Sequence, residues 1–169
     1  MTVDVGTEAP DFTLRDSEGE NVRLVEYRGN KNVLLVFYPF TFSPGCSSEF
    51  CDLRDKNSDL VSDAETEVLA VSVDPVWSAR AWKDQQKFPN RFLSDFWPHG
   101  EVSRVYGAFD DGLGFSHRHT FLIDKSGIVR FVERNSAKRL RNQDGWREAI
   151  HSLAADASLS AVGALDDHA

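Results

Sequence analysis

The chain contains two cysteines, Cys46 and Cys51, whose positions suggest chemistry rather than cross-linking. Both lie in residues 38–51, which begin directly after the apolar run 33–37. Ligands of open α/β sheets usually bind at the carboxyl ends of strands, so this position is typical of a functional loop. Two cysteines exclude a disulfide-rich secreted scaffold, and their spacing matches neither a CxxC motif nor a four-ligand zinc site.

The residues before Cys46 predict that it lies in the first turn of a helix. Ser43 suits the N-cap and Pro44 suits the first helical position, so Cys46 is expected at the third. Unpaired backbone N–H groups and the positive end of the helix dipole would favour its thiolate, the nucleophilic form. A thiolate with a second thiol nearby fits a cysteine that reacts with peroxides. The alternative is a buried cysteine that packs as a small hydrophobe, but its position after the strand and cap favours the reactive interpretation.

Hydrophobic periodicity predicts the elements that must position this stretch. Alternating patterns predict hairpin strands, and continuous apolar runs predict buried strands. The predicted strands are 11–16, 21–25, 32–38, 67–73, 119–123 and 128–132, and the predicted helices are 47–60, 76–87 and 144–155, with one or two helical turns at 101–106. This order combines βαβ crossovers with a closing hairpin. It predicts an α/β sandwich with a mixed central β-sheet and helices on both faces.

The length of 169 residues fits one domain, predicted over 1–155, with 156–169 as a tail that is either mobile or a weak extra helix. The net charge of −8 at pH 7 argues against nucleic acid or an anionic membrane as the main partner. The basic cluster 138–141 is therefore interpreted as a solvated face. The N-terminus lacks the pattern of a secretory signal and no apolar run is long enough to span a membrane, so we expect a cytoplasmic location.

The motif around Cys46 resembles that of the peroxiredoxin family. The spacing Pro39-x-x-x-Ser43-x-x-Cys46 is similar to the family's active-site motif, with serine where threonine is commoner. Its extension to Cys51 is similar to the peroxiredoxin Q (bacterioferritin comigratory protein) subfamily. The segments that look more like the one-cysteine alkyl hydroperoxide reductase E subfamily are 93–100, 102–107 and 118–128. The resemblance covers about residues 6–153.

The resemblance implies a thioredoxin-like fold with an N-terminal β-hairpin, and a thiol-dependent peroxidase that needs no metal, flavin or haem. Cys46 would be the peroxidatic cysteine, which attacks a peroxide oxygen and becomes a sulfenic acid. Pro39 would shield the thiolate, and Ser43 would hydrogen-bond the sulfur and the peroxide. Arg118 matches the family's active-site arginine, whose fixed donors suit the charge that moves from sulfur to the leaving oxygen. Glu49 matches the residue that orients this arginine, although an acidic residue also suits the start of a helix.

Cys51 has two interpretations. By resemblance to peroxiredoxin Q, it would resolve the sulfenic acid of Cys46 by forming a disulfide. Helical geometry would hold the two Cα atoms about 8–9 Å apart, beyond the roughly 7 Å that a disulfide spans, so the first turns of the helix would have to unwind. We therefore expect two separate thiols on one helix in the reduced form. In the alternative, Cys51 packs beside Phe50 and Leu53, and an external thiol reduces the sulfenic acid.

Two other functions stay open on the sequence alone. A thioredoxin-type thiol–disulfide oxidoreductase is one, although it would favour a CxxC spacing, and a redox-sensing interaction protein is the other. For the peroxidase, the resemblance implies a hydroperoxide substrate, a weakly held homodimer, and reduction by thioredoxin, a glutaredoxin-like protein or a low-molecular-weight thiol.

Two groups of residues near the predicted site are candidates for other roles. His117 and His119 lack an evident third metal ligand and would face away from Arg118 in a strand, so both are interpreted as solvent-facing or packed. Phe96 and Trp97 are candidates for lining a substrate pocket or forming a dimer contact.

Overall fold

The computed structural model describes residues 2–166. The strands of these residues are β1 (Thr13–Asp16), β2 (Asn21–Arg23), β3 (Asn32–Phe37), β4 (Thr66–Ser72), β5 (Arg91–Ser94), β6 (Phe109–Asp110), β7 (Phe115–Ser116), β8 (Arg118–Ile123) and β9 (Val129–Asn135). Seven of them form one mixed sheet in the order β2-β1-β5-β4-β3-β8-β9, and β6 and β7 pair separately as a short hairpin. Strands β3, β4 and β5 are parallel, and the other neighbouring pairs in the sheet are antiparallel.

The composition of β3 explains its position inside the sheet. All of its residues after Asn32 are buried, as expected for a strand that is covered on both faces. It pairs in parallel with β4 and antiparallel with β8, so that Leu35 lies between Leu69 and Phe121. Successive side chains point to opposite faces. Leu34 and Leu35 accordingly belong to hydrophobic clusters on different faces of the sheet.

Helices cover both faces of the sheet. They are α1 (Pro44–Asp55), α2 (Ser58–Ser62), α3 (Val76–Gln86), α4 (Glu101–Val105) and α5 (Gln143–Asp166), with a 3-10 turn at Leu24–Tyr27. One face packs against α1, α2, α3 and α5 through an apolar cluster that includes Phe50, Trp82 and Trp146. The other face packs against α4 and the residues before β1 through a cluster that includes Phe12 and Val102. The predicted α/β sandwich with a mixed sheet is therefore confirmed.

Several element boundaries differ from the predicted ones. The helix predicted at 47–60 starts at Pro44, because proline suits the first helical position, and it is interrupted between Asp55 and Ser58. Strand β5 and the β6–β7 hairpin were missed, since segments of four and two residues are too short to show a period.

The last helix extends beyond its predicted end at residue 155 and continues to Asp166. The expected boundary between the domain 1–155 and the tail 156–169 therefore falls within one continuous helix, and residues 167–169 lie outside the described residues. Among the helices of residues 2–166, none has both the length and the apolar character needed to cross a membrane.

Candidate active site

The loop between β3 and α1 is held against β4 by Asp74. The Oδ2 atom of Asp74 accepts hydrogen bonds from the Thr41 N–H at 2.9 Å and from the Ser72 hydroxyl at 2.7 Å. Phe42 then turns the chain with a φ of 63°, a left-handed conformation that is uncommon for residues other than glycine. Ser43 has extended dihedral angles at the N-cap, and α1 begins at the next residue. The loop thus brings the helix start to the carboxyl end of β3.

Cys46 is the third residue of α1, as the capping pattern predicts, and it is fully buried. Its Sγ lies 3.3 Å from Nη1 of Arg118, the first residue of β8. The Arg118 side chain is itself buried, and its Nε donates to the Ala137 carbonyl oxygen at 2.8 Å. The fold therefore brings together a thiol and a guanidinium that are 72 residues apart in the sequence.

Glu49, about one helical turn after Cys46, links Arg118 to a second arginine. Its Oε1 accepts hydrogen bonds from Arg118 Nη1 at 2.5 Å and from Arg141 Nη2 at 2.9 Å. Its Oε2 accepts the Arg141 backbone N–H at 2.8 Å and Nε at 3.1 Å. Burial by itself raises the pKa of Glu49, but the charge and hydrogen bonds of Arg141, with the charge of Arg118, lower that pKa below its ordinary value. The carboxylate is therefore ionised between two cations and holds Arg118 beside the sulfur.

Arg141 belongs to this site, although nothing in the sequence indicated it. The basic cluster 138–141 is predicted to be a solvated face, which holds for its first three residues but is wrong for Arg141, whose side chain is 0% exposed. Its Nη1 donates to the carbonyl oxygens of Phe37 at 2.6 Å and His119 at 3.3 Å. A buried guanidinium needs such partners because its desolvation is costly. Only the fold reveals that Glu49 and these strand carbonyls surround it.

An open cavity of about 490 Å³ borders the site. Its lining is mostly apolar and includes Pro39, Ser43, Gly45, Leu113, Phe115 and Arg118. The β6–β7 hairpin supplies Leu113 and Phe115, and the Phe115 ring packs on Phe40 with centroids 4.8 Å apart. Gly45 leaves room for the guanidinium, because a Cβ at this position would lie 2.6 Å from Arg118 Nη2. One wall of the cavity is thus apolar, while Arg118 supplies hydrogen-bond donors.

The Ser43 hydroxyl does not make the contact expected from the resemblance. It donates to the Phe40 carbonyl oxygen at 3.0 Å instead of to Cys46. Because a hydroxyl has a single hydrogen, Ser43 must rotate before it can donate to the sulfur or to a peroxide. Ser43 also makes no side-chain hydrogen bond to the helix start, so the predicted N-cap applies to its backbone alone.

Cys51 is a free, partly exposed thiol on the same helix. It packs against the apolar cluster of the helix-rich face, to which its neighbours Phe50 and Leu53 also belong. Cys46 is free as well, so the expectation of two separate thiols on one helix is confirmed.

His117 and His119 form a stacked pair, with ring centroids 5.8 Å apart. Burial, reinforced by the neighbouring positive charges, lowers the pKa of His119 to about 4. His117 Nε2 lies 3.2 Å from Asp110 Oδ2, and no cluster of three or more potential metal ligands occurs in the described part of the chain. His117 and Arg118 both border the cavity, and His117 lies just before β8, which begins at Arg118.

Phe96 and Trp97 follow β5 and are 50% and 80% exposed. Neither residue is among those that line the cavity beside Arg118. The structure therefore does not support the predicted role of Phe96 and Trp97 in lining this cavity, and the dimer contact stays a prediction.

The chain is similar to known proteins over most of its length. Residues 5–132 match the AhpC/TSA family. The chain is 44% identical over 153 residues to alkyl hydroperoxide reductase E of Mycobacterium tuberculosis, which covers 90% of this chain and 99% of that relative. It is 34% identical over 152 residues to chloroplastic peroxiredoxin Q of Suaeda salsa, with 89% and 69% covered. The reduced 2-Cys peroxiredoxin of Plasmodium vivax superposes with a TM-score of 0.74 at 32% identity, over 83% of this chain and 77% of that chain. The predicted thioredoxin-like fold is thereby confirmed.

Proposed function

The chain belongs to the AhpC/TSA family and is a thiol-dependent peroxidase, and on this premise we propose that Cys46 is the cysteine that attacks the peroxide. The observation that carries the proposal is the 3.3 Å contact between Cys46 Sγ, in the first turn of α1, and Nη1 of the buried Arg118. Cys51 lies further along the helix, away from the orphan N–H groups of its first turn.

The charges around Cys46 are complementary to a negatively charged sulfur, the form that the proposed attack uses. Glu49 carries one negative charge, and Arg118 and Arg141 each carry a positive one, so without the sulfur this buried group has an excess positive charge. Negative charge on the Cys46 sulfur would make this group neutral, so the site suits an anionic nucleophile. The N–H groups at the start of α1 act in the same direction.

The proposed chemical step is a displacement at oxygen. The Cys46 thiolate attacks the terminal oxygen of a hydroperoxide ROOH, so that an S–O bond forms and the O–O bond breaks. The O–O electron pair leaves with RO⁻, which takes a proton from water to give ROH, and Cys46 becomes a sulfenic acid. Negative charge moves from the sulfur toward the leaving oxygen. Arg118 is permanently charged and fixed beside the sulfur, so its donors stabilise this moving charge.

Four further residues support this step in our proposal. Glu49 orients Arg118 through the 2.5 Å hydrogen bond, and Arg141 holds Glu49 from the other side. Pro39, in the cavity wall, limits the access of water to the sulfur. Ser43 donates to the sulfur or to the peroxide after its hydroxyl leaves the Phe40 carbonyl.

The substrate is a hydroperoxide, and the cavity supports organic hydroperoxides in addition to hydrogen peroxide. Leu113 and Phe115 contribute to a mostly apolar lining next to Arg118. Apolar walls with a few polar groups are typical of sites that bind small organic molecules, since the apolar part of the ligand gains by leaving water. An alkyl group would therefore lie against the hairpin residues while the peroxide oxygens face Arg118.

A thiol reductant returns Cys46 to its reduced state. We propose that Cys51 forms a disulfide with Cys46 after α1 unwinds locally, and that thioredoxin or a glutaredoxin-like protein reduces this disulfide. In the alternative, a low-molecular-weight or protein thiol reduces the sulfenic acid directly. A cytoplasmic location and a weakly held homodimer also belong to the proposal, and the exposed side chains of Phe96 and Trp97 support the dimer.

Matched cysteine variants test the proposal. Peroxide consumption is measured at steady state with excess reductant, and the first oxidation is followed by stopped-flow tryptophan fluorescence. Cys46→Ser is expected to lose both activities, and Cys51→Ser to keep the first oxidation. Consumption of peroxide by Cys46→Ser at the wild-type rate would show that another group is the nucleophile. A wild-type protein that reacts once and does not turn over would be a sensor.

A further inference from the structure

We propose that Gln143 is a positioning residue that restrains the unwinding of α1 and thereby sets how fast oxidised Cys46 pairs with Cys51. This inference rests on the proposed disulfide between the two cysteines. It concerns the conformational step that the disulfide needs, rather than the attack on the peroxide.

The helical segment between the two cysteines is held at its middle residue. The carboxylate of Glu49 is bound by Arg118 and Arg141, as described above. The backbone carbonyl oxygen of Glu49 also accepts a hydrogen bond from Gln143 Nε2 at 2.8 Å. This bond is additional to the intrahelical one, because a carbonyl oxygen has two lone pairs. Glu49 is therefore tied to other elements through both its side chain and its backbone.

The amide of Gln143 is itself fixed in orientation. Gln143 is the first residue of α5 and is buried. Its Oε1 accepts a hydrogen bond from Asn57 Nδ2 at 2.8 Å, and Asn57 Oδ1 accepts one from Arg147 Nη2 at 2.6 Å. Arg147 can only donate, so the amides of Asn57 and Gln143 are both oriented, and the nitrogen of Gln143 must face Glu49. This chain of hydrogen bonds joins α5 to the middle of α1 and to Asn57, which lies between α1 and α2.

Disulfide formation must break the bond between Gln143 and Glu49. Helical geometry places the Cα atoms of Cys46 and Cys51 about 8–9 Å apart, beyond the roughly 7 Å limit for a disulfide. Glu49 lies between them and must leave its helical position before the sulfurs can meet. Its carbonyl then withdraws from Gln143, whose buried amide loses a partner. An unpaired buried donor carries a free-energy cost, and this cost opposes the opening.

The sulfenic acid of Cys46 has two competing fates. In the first, Cys51 sulfur attacks the sulfenic sulfur, an S–S bond forms, the S–O bond breaks, and the hydroxyl leaves as water with the Cys51 proton. In the second, Cys46 sulfur attacks another ROOH and becomes a sulfinic acid, while ROOH is reduced to ROH. Only the first fate requires α1 to open. Gln143 therefore sets the partition between a reversible disulfide and further oxidation.

A Gln143 variant tests the opening of α1 separately from the attack on the peroxide, because Gln143 bonds to a backbone carbonyl and not to the reacting groups. The variant Gln143→Met keeps the length of the side chain but removes its hydrogen bonds. Reduced protein is mixed with hydrogen peroxide, quenched with N-ethylmaleimide at successive times, and measured by intact mass spectrometry. We expect disulfide formation to be about five-fold faster, the factor that one net hydrogen bond supplies, with an unchanged first oxidation and less sulfinic acid at excess peroxide.

The matched control is Lys56→Met, which breaks an exposed pair with Asp52 on the same helix, at 2.8 Å. It is expected to keep the wild-type rates. A second variant, Gln143→Asn, keeps the amide but is too short to reach Glu49, and should behave as Gln143→Met does. Both Gln143 variants are compared with wild type by hydrogen–deuterium exchange in the reduced state. Faster exchange is expected in residues 46–53 and not in β3.

Each outcome of these measurements bears on the inference. Wild-type exchange and wild-type disulfide rates in both Gln143 variants would overturn it, as would faster exchange throughout the sheet, which is general destabilisation. If neither wild type nor any variant forms the disulfide, Cys51 does not resolve the sulfenic acid, and the role proposed for Cys51 is wrong. Faster exchange confined to residues 46–53 would in that case still support the restraint by Gln143.

Discussion

Cys46 and Cys51 lie on the same helix, yet their surroundings differ in almost every respect. Cys46 is fully buried at the start of α1 and contacts the buried guanidinium of Arg118. Cys51 is partly exposed, and the arginine close to it, Arg54, is bound to the exposed carboxylate of Asp55. Position along the helix and rotation around it therefore give two identical side chains different surroundings.

The largest expected effect is on the rate of the first oxidation when the arginine beside each cysteine is replaced. Arg118→Met removes fixed donors from the site of charge movement, so we expect the first oxidation of Cys46 to slow by about 10²–10³-fold. Arg54→Met, beside Cys51, should leave that rate unchanged. Stopped-flow fluorescence with hydrogen peroxide measures both. If both variants slow the first oxidation equally, the buried position of Arg118 beside Cys46 does not account for the rate.

The next expected effect concerns the free energy of unfolding on the two sides of α1. Arg141→Met leaves Glu49 with a single cation and should lower the free energy of unfolding by about 3–5 kcal/mol. The matched variant Lys56→Met breaks a pair between the exposed side chains of Lys56 and Asp52 and should have a much smaller effect. Urea denaturation measures both. A small effect for Arg141→Met would contradict the role given to this buried network.

The contribution to the pH dependence of stability should also differ between the buried Glu49 and the exposed Asp55. The pKa of Glu49 in the folded state lies below its ordinary value. Its contribution to stability is therefore complete above the ordinary carboxyl pKa and is lost as pH falls through the lower, folded value. Denaturation between pH 7 and pH 3 should show a weaker acid dependence in Glu49→Gln than in wild type.

The control for this pH experiment is Asp55→Asn. A hydrogen bond from Arg54 also lowers the pKa of Asp55. This carboxylate is exposed, however, and solvent screens its interactions, so the variant should change the acid dependence much less. If Glu49→Gln and Asp55→Asn change the acid dependence of stability equally, burial does not strengthen the ion pairs of Glu49.

The smallest expected effect is that of Cys51→Ser. Cys46 and Cys51 are both free thiols in the reduced protein, so the first oxidation should keep its rate and the free energy of unfolding should change by about 1 kcal/mol or less. The disulfide should disappear from the mass spectrum after peroxide treatment. A slower first oxidation in this variant would show that the two thiols interact before the helix opens.

Much of the site could be predicted because its first part is local in sequence. The order of strand, loop, Ser43, Pro44 and Cys46 specifies a helix start by short-range rules of capping, and the structure has Cys46 at the expected third position. Glu49 and Arg118 were expected through the family resemblance, and the fold brings Arg118 into contact with both Cys46 and Glu49. The orientation of the Ser43 hydroxyl was not predictable, because it depends on competition between nearby acceptors.

The parts that escaped prediction depend on contacts between distant segments. Arg141 is in a cluster of exposed basic residues, and Gln143 has no sequence signal at all. Arg141 binds the carboxylate of Glu49 and Gln143 binds its backbone carbonyl, although they lie 92 and 94 residues from Glu49 in the sequence. Only the packing of α5 and the segment before it against α1 brings them there. The boundary of the last helix was missed for a different reason. Small and acidic residues do not show the apolar period of a packed helix.

The sequence by itself determined that Cys46 lies in the first turn of a helix and that the chain forms a mixed α/β sheet with helices on both faces. Capping rules and hydrophobic periods act over a few residues and can therefore be read directly. Only the tertiary structure decided that Glu49 lies between two buried arginines, and that the helix between the cysteines is held by α5. A buried charge is stable only where opposite charges and hydrogen bonds surround it, and those partners come together only when the chain has folded.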